Sequence, residues 1–230
     1  EKMPPGSIPR ETIFIIDTSG SMHGVSMQQA KRAVQLALQG LQPSDRFNVI
    51  EFNSSTTALF KRSQPVNAAT RAEASAFVKR LQANGGTEMR PALALALDSP
   101  PSEQHLRQVI FVTDGSVGYE DELFSMIEDR LGNARLFTVG IGSAPNSWFM
   151  RKAAEAGRGS YTFISALHEV QEKMADLFQK LDQYRGALAQ LSSHGQLSVC
   201  RSGSVSRRTR DCKSSRERTA AGPARRAYFG

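Results

Sequence analysis

Ile13-Phe-Ile-Ile-Asp-Thr-Ser-Gly-Ser-Met22 decides the fold. Four apolar residues in a row, three of them β-branched, read as a strand buried on both faces. The strand runs into Asp17, Thr18, Ser19, Gly20 and Ser21, and a helical pattern resumes a few residues later. One carboxylate and two hydroxyls therefore stand on a tight turn at the carboxyl end of a buried strand, where ligands sit in open α/β sheets. Asp17, Ser19 and Ser21 alternate, so a curled loop can turn all three side chains to one spot. Oxygen donors without His or Cys favour a hard cation such as Mg²⁺ or Ca²⁺. An Asp-Ser turn that only caps the next helix is the competing reading of this stretch alone.

Working outward, strand and helix alternate. Residues 24–41 carry apolar side chains at helical spacing from Met27 to Leu41, one face of a helix lying on a sheet. Strands follow at 46–53 and 57–60, the second short enough for an edge. A helix fits 68–81. Asn84-Gly-Gly-Thr-Glu-Met89 is a glycine-rich loop, and Pro91 suits the first turn of a short helix running to Leu97. Further strands are expected at 108–114, 135–141 and 159–164, with helices at 120–131, 148–156 and 167–181. The alternation predicts an α/β fold: a doubly wound, Rossmann-like, mostly parallel sheet flanked by helices on both faces. The domain spans about residues 10–185, behind a Pro-rich linker over residues 1–9.

Charge and cysteine separate the two ends of the chain. Hydrophobic content of 40% and charge of 22% are globular values. The net charge of +7 resides in His194–Gly230, which holds nine Lys/Arg and two Asp/Glu; the preceding 193 residues carry 20 of each. The core therefore offers no nucleic-acid surface. Cys200 and Cys212 both lie in that tail, so thiol catalysis and zinc-thiolate sites are excluded from the core. Residues 186–230 read as a basic segment of low order, too poor in apolar groups to offset chain entropy; a foreign, out-of-frame or vector-derived extension is one reading of it. No membrane-spanning run and no signal peptide are visible. The first residue is Glu1, and the expectation is a piece of a larger multidomain chain.

Three stretches converge on one end of the sheet. Asp17, Ser19 and Ser21 come from the first strand, Thr87 from the Gly-Gly-Thr loop, and Asp114, followed by Gly115, from the strand at 108–114. The combination Asp17-Thr-Ser19-Gly-Ser21, a separate Thr87 and a separate Asp114-Gly resembles the von Willebrand factor type A domain and its metal-ion-dependent adhesion site. The wording around Asp17 and the Phe-Asn-Val-Ile-Glu-Phe-Asn53 strand resembles a narrower branch, the A domains of inter-alpha-trypsin inhibitor heavy chains and of bacterial surface proteins.

The resemblance implies binding rather than turnover, by an extracellular or cell-surface module. It implies Mg²⁺, with Mn²⁺ or Ca²⁺ as alternatives, ligated by Ser19, Ser21 and Thr87, with Asp17 and Asp114 acting directly or through water. A protein partner would supply Asp or Glu at the remaining position. Gly20, Gly86, Gly115 and Tyr119 would form the rim, with Gly118 and Glu120 bordering it.

Two other classes compete. An A domain inside an intracellular assembly of the chelatase type keeps the same motif. A Mg²⁺-dependent phosphohydrolase needs a second acid where Ser19 stands, and a Lys near a strand end. No Gly-x4-Gly-Lys-Ser/Thr phosphate loop occurs. His23 reads as solvent-facing, Met22, Met27 and Met89 as core, and Trp148 as an anchor on the sheet.

Overall fold

The computed structural model describes residues 8–98, 104–115, 119–142 and 145–193, with backbone alone for 184–193. Its elements are β1 (Arg10–Asp17), α1 (Val25–Gly40), β2 (Arg46–Phe52), β3 (Thr56–Ala58), β4 (Gln64–Pro65), α2 (Ala68–Arg80) and α3 (Met89–Leu97). They continue with β5 (Leu106–Thr113), α4 (Glu120–Arg130), β6 (Arg135–Ile141), α5 (Ser147–Ala156), β7 (Tyr161–Ile164) and α6 (Val170–Ser193).

The sheet has the order β3-β2-β1-β5-β6-β7, with β4 also pairing β2. β2, β1, β5, β6 and β7 are mutually parallel, and β3 and β4 run antiparallel to β2. The expected doubly wound α/β fold is therefore the observed one. β1 sits in the middle, its Ile16 paired with Glu51 on one side and Val112 on the other.

Alternation along the strands splits the core into two layers. Phe14, Ile16, Ile110, Val112 and Val139 meet α1, α2 and α6 on one face; Ile13, Ile15, Val109, Phe111 and Leu136 meet α3, α4 and α5 on the other. Local signals agree with this packing. Asn67 and Thr70 form a reciprocal capping box that starts α2. Glu120, Asp121 and Glu122 occupy the first turn of α4, where the helix dipole favours carboxylates.

Three differences from expectation have physical causes. β1 begins at Arg10, not Ile13, although Arg10-Glu11-Thr12 is polar. Arg10, 2% exposed, pairs with buried Asp45 at 3.1 Å, and Glu11 pairs with Arg107 at 2.8 Å, so both charges enter the sheet neutralised. β4 is two residues long and ends in Pro65, too short for periodicity to register. α6 continues past Leu181 and through Gly186 to Ser193. Adding turns to a formed helix needs no new nucleus, and one interior glycine costs only about 1 kcal/mol. Residues 194–230, both cysteines among them, lie outside the described residues, as do residues 1–7. No helix of the described residues is long and apolar enough to cross a membrane.

Candidate metal centre

Burial of β1 carries Asp17 to the carboxyl edge of the sheet with 0% exposure. Both its oxygens are engaged. Oδ1 accepts the Ser19 amide at 2.8 Å, and Oδ2 accepts the Thr113 hydroxyl at 2.5 Å. The Thr113 oxygen in turn accepts the Gly115 amide at 2.9 Å. Burial, foremost, pushes the Asp17 carboxyl above its ordinary value; the hydrogen bonds from Ser19 and Thr113 pull it down, and the charge of Asp114 pushes it up.

Beyond Asp17 the chain curls through a short 3-10 turn at Gly20–Met22. Ser19 Oγ and Ser21 Oγ come within 3.1 Å of each other. Ser19 is buried, Ser21 is exposed, and buried Met22 fixes the turn from beneath. Thr18 faces away, its amide and hydroxyl both donating to the Phe52 carbonyl. The expected alternation of Asp17, Ser19 and Ser21 is thus present.

The loop before α3 is tied to this turn through backbone groups. Gly20 N–H donates to Gly85 O at 3.0 Å and Asn84 N–H to Thr18 O at 2.7 Å. Thr87 is half-buried, and its carbonyl accepts the Tyr119 hydroxyl at 2.8 Å. Tyr119 is pushed up by burial first; an amide bond from Met89 opposes this, and Glu88 and Glu122 add to it. Gly86 is exposed beside this loop.

Asp114, half-buried, follows the end of β5, which neighbours β1. Buried Gly115 has φ +75°, and a Cβ there would meet Asn146 and Met150 at 3.2 Å; glycine is what this turn admits. The Asp114 carbonyl accepts the Asn146 amide at 2.9 Å. Glu120 accepts from Asn146 Nδ2 at 3.4 Å. Gly118 lies outside the described residues.

All five expected metal-site residues therefore stand at one end of the sheet, Asp17 closing β1 and the other four on the segments beyond the strands. Two carboxylates close enough to repel, beside the converging Ser19 and Ser21 hydroxyls, fit a hard divalent cation. Among the described residues no cluster of three or more His, Cys, Asp or Glu is placed to hold a metal, so any such centre here depends on hydroxyls.

Side chains that sequence reasoning passed over complete the frame: Thr113, Ser54 and Asn146. Thr113 carried a signal, a polar residue closing an apolar strand just before Asp114. Trp148 differs from expectation. It is 58% exposed and lies edge-on to Phe124 at 5.8 Å, because Phe149, Met150 and Ala153 already occupy the inward face of α5. His23 is exposed and Met22, Met27 and Met89 are buried, as expected.

A sequence profile described as the von Willebrand factor type A domain matches residues 10–163. A von Willebrand factor A domain-containing protein of Dictyostelium discoideum is 33% identical over 168 residues, 73% of this chain and 18% of its own length. The mouse von Willebrand factor A domain-containing protein 5B1 is 32% identical over 171 residues, 74% of this chain and 14% of its own length. This chain thus spans less than a fifth of these relatives.

Among solved structures, a von Willebrand factor type A protein from Catenulispora acidiphila superposes with a TM-score of 0.66 at 28% identity, covering 74% of this chain and 42% of that one. Proximal thread matrix protein 1 from the mussel byssus, with a zinc-occupied metal-ion-dependent adhesion site, shares the fold: TM-score 0.57, 18% identity, 75% of this chain and 45% of that one. The chain belongs to the von Willebrand factor type A domain family.

Proposed function

We propose that the chain is a binding module that holds a divalent cation at the carboxyl end of its sheet and uses it to grip a carboxylate of a protein partner. The Ser19, Ser21 and Thr87 hydroxyls ligate the cation, and Asp17 and Asp114 balance its charge directly or through water. The observation that carries this reading is the 3.1 Å approach of Ser19 Oγ to Ser21 Oγ next to the buried Asp17 carboxylate.

Hydroxyl ligands leave a bound cation electrophilic, so an incoming Asp or Glu gains a strong charge-assisted contact. Mg²⁺ is the cation proposed, with Mn²⁺ and Ca²⁺ as alternatives; zinc occupies the corresponding motif in the mussel protein. Nothing in this arrangement asks for turnover, and the role is binding, not catalysis. We place the module at the cell exterior, in a longer chain of the inter-alpha-trypsin inhibitor heavy chain kind. The local sequence around Asp17 supports that placement, and the longer chain is in keeping with the small share of its relatives' length that this one spans.

Calorimetric titration of Mg²⁺, Mn²⁺ and Ca²⁺ into the chain tests the reading, with the Asp17→Ala/Ser19→Ala variant alongside. Saturable binding in the parent that is lost in the variant supports it. Equal heats in both, or none in the parent with acetate present as a surrogate carboxylate, reject it.

A further inference from the structure

The residues proposed to touch the cation do not hold Thr87 in place. The turn between β2 and β3 does, alongside the backbone bonds of Thr18 and Gly20 to Asn84 and Gly85. Gly86 N–H donates to Ser54 Oγ at 2.8 Å, and Glu88 N–H donates to the Asn53 carbonyl at 2.8 Å. These two bonds fasten the residues on either side of Thr87. From the opposite side, the Tyr119 hydroxyl holds the Thr87 carbonyl.

The glycines fit the same contact. Gly85 has φ +77°, and a Cβ on it would lie 2.8 Å from Ser54 Oγ; a Cβ on Gly86 would lie 3.3 Å from the same oxygen. Gly-Gly before Thr87 therefore makes room for the Ser54 hydroxyl as well as for the bend. Ser54 is exposed and belongs to neither core layer. Its neighbour Ser55 is also exposed, but its hydroxyl donates to Asn53 Oδ1 and not to the Thr87 loop.

We infer that Ser54 is a positioning residue of the metal centre: its hydroxyl, accepting the Gly86 amide across the space left by Gly85 and Gly86, sets where Thr87 presents its own hydroxyl. The inference rests on the cation reading proposed above and names a determinant outside the five motif residues. Loss of one such bond at an exposed position leaves folding intact, because water replaces it, but frees the loop to sample other placements.

Three variants of the full chain test this: Ser54→Ala, Ser54→Thr and Ser55→Ala. The measurements are Mg²⁺ and Mn²⁺ affinity by calorimetry, melting temperature, and hydrogen exchange over residues 85–88. For Ser54→Ala the expected result is a Kd raised roughly three- to tenfold. Exchange at 85–88 should be faster, and the melting temperature within about 3 °C of the parent. Ser54→Thr restores affinity and protection, and Ser55→Ala leaves both unchanged. Parent-like affinity in Ser54→Ala overturns the inference while leaving the cation site standing, and so does an equal loss in Ser55→Ala. A parent that binds neither cation overturns the site and the role of Ser54 with it.

Discussion

Thr113 and Asp17 come from neighbouring central strands and share a 2.5 Å hydrogen bond, the Thr113 hydroxyl donating to Asp17 Oδ2 while its oxygen accepts the Gly115 amide. One hydroxyl thus couples the first carboxylate-bearing loop to the second. Thr113→Val keeps the shape and removes both bonds, stranding a buried amide and a carboxylate oxygen. Chemical denaturation should show a loss of about 1–3 kcal/mol, and calorimetry a weakened cation affinity. Thr113→Ser should recover most of each; a Val variant as stable as the parent would contradict the coupling.

Asp17 gives the cation-free protein a pH dependence of definite sign. Its carboxyl is raised above the unfolded value, chiefly by burial, so the folded state binds the proton more tightly than the unfolded chain. This contribution to stability is fully present below the ordinary carboxylate value and is lost as pH rises through the raised one. In chelator, Asp17→Asn should therefore flatten the slope and be at least as stable as the parent at neutral pH, while binding no cation. Urea titrations across acid to neutral pH measure it. A variant clearly less stable than the parent at neutral pH would contradict the assignment.

At the opposite end of the sheet, Arg10 bridges Asp45 and Asp182, both at 3.1 Å, but the two partners differ in burial: Asp45 is 0% exposed and Asp182 51%. Asp45→Ala leaves a guanidinium buried without its main partner and should cost about 3–5 kcal/mol. Asp182→Ala should cost less than about 1 kcal/mol, because water screens that pair. Equilibrium denaturation of the two variants gives the ranking, and equal losses would refute it.

Adjacent residues on α5 should respond unequally to truncation. Phe149 is fully buried and stacks on Phe124 at 5.6 Å; Phe149→Ala should cost about 3–5 kcal/mol. Trp148 touches the same Phe124 only by its edge and is mostly exposed, so Trp148→Ala should cost about 0.5–1.5 kcal/mol. Thermal or urea denaturation distinguishes the two.

Much of this architecture was legible in the residues. Unbroken apolar runs such as Ile13–Ile16 and Val109–Val112 announce central strands, and Asp17 and Asp114 at their ends locate the site. What periodicity could not read were contacts between groups distant in sequence. Arg10 and Glu11 do not read as strand until Asp45 and Arg107 are seen to neutralise them. Trp148 looks like a core residue until its neighbour Phe149 takes the inward position. Ser54 and Thr113 carry no motif, because their roles depend on which loops the topology brings together. The extension of α6 past Gly186 escaped for a different reason: a helix already docked propagates through a residue that would not start one.

The fastening of the loop from Asn84 to Glu88 has a consequence for how such a domain can change partners. Among the described residues, apart from Ser54 and Tyr119, the groups that hold it are peptide N–H and C=O of residues 18, 20, 53, 84, 85 and 88, and away from the glycines these do not depend on which side chain a residue carries. The exposed side chains of Asn84 and Glu88 are therefore free to drift. A lineage could rewrite the chemistry around the mouth of the site, one surface substitution at a time, without moving the mouth itself.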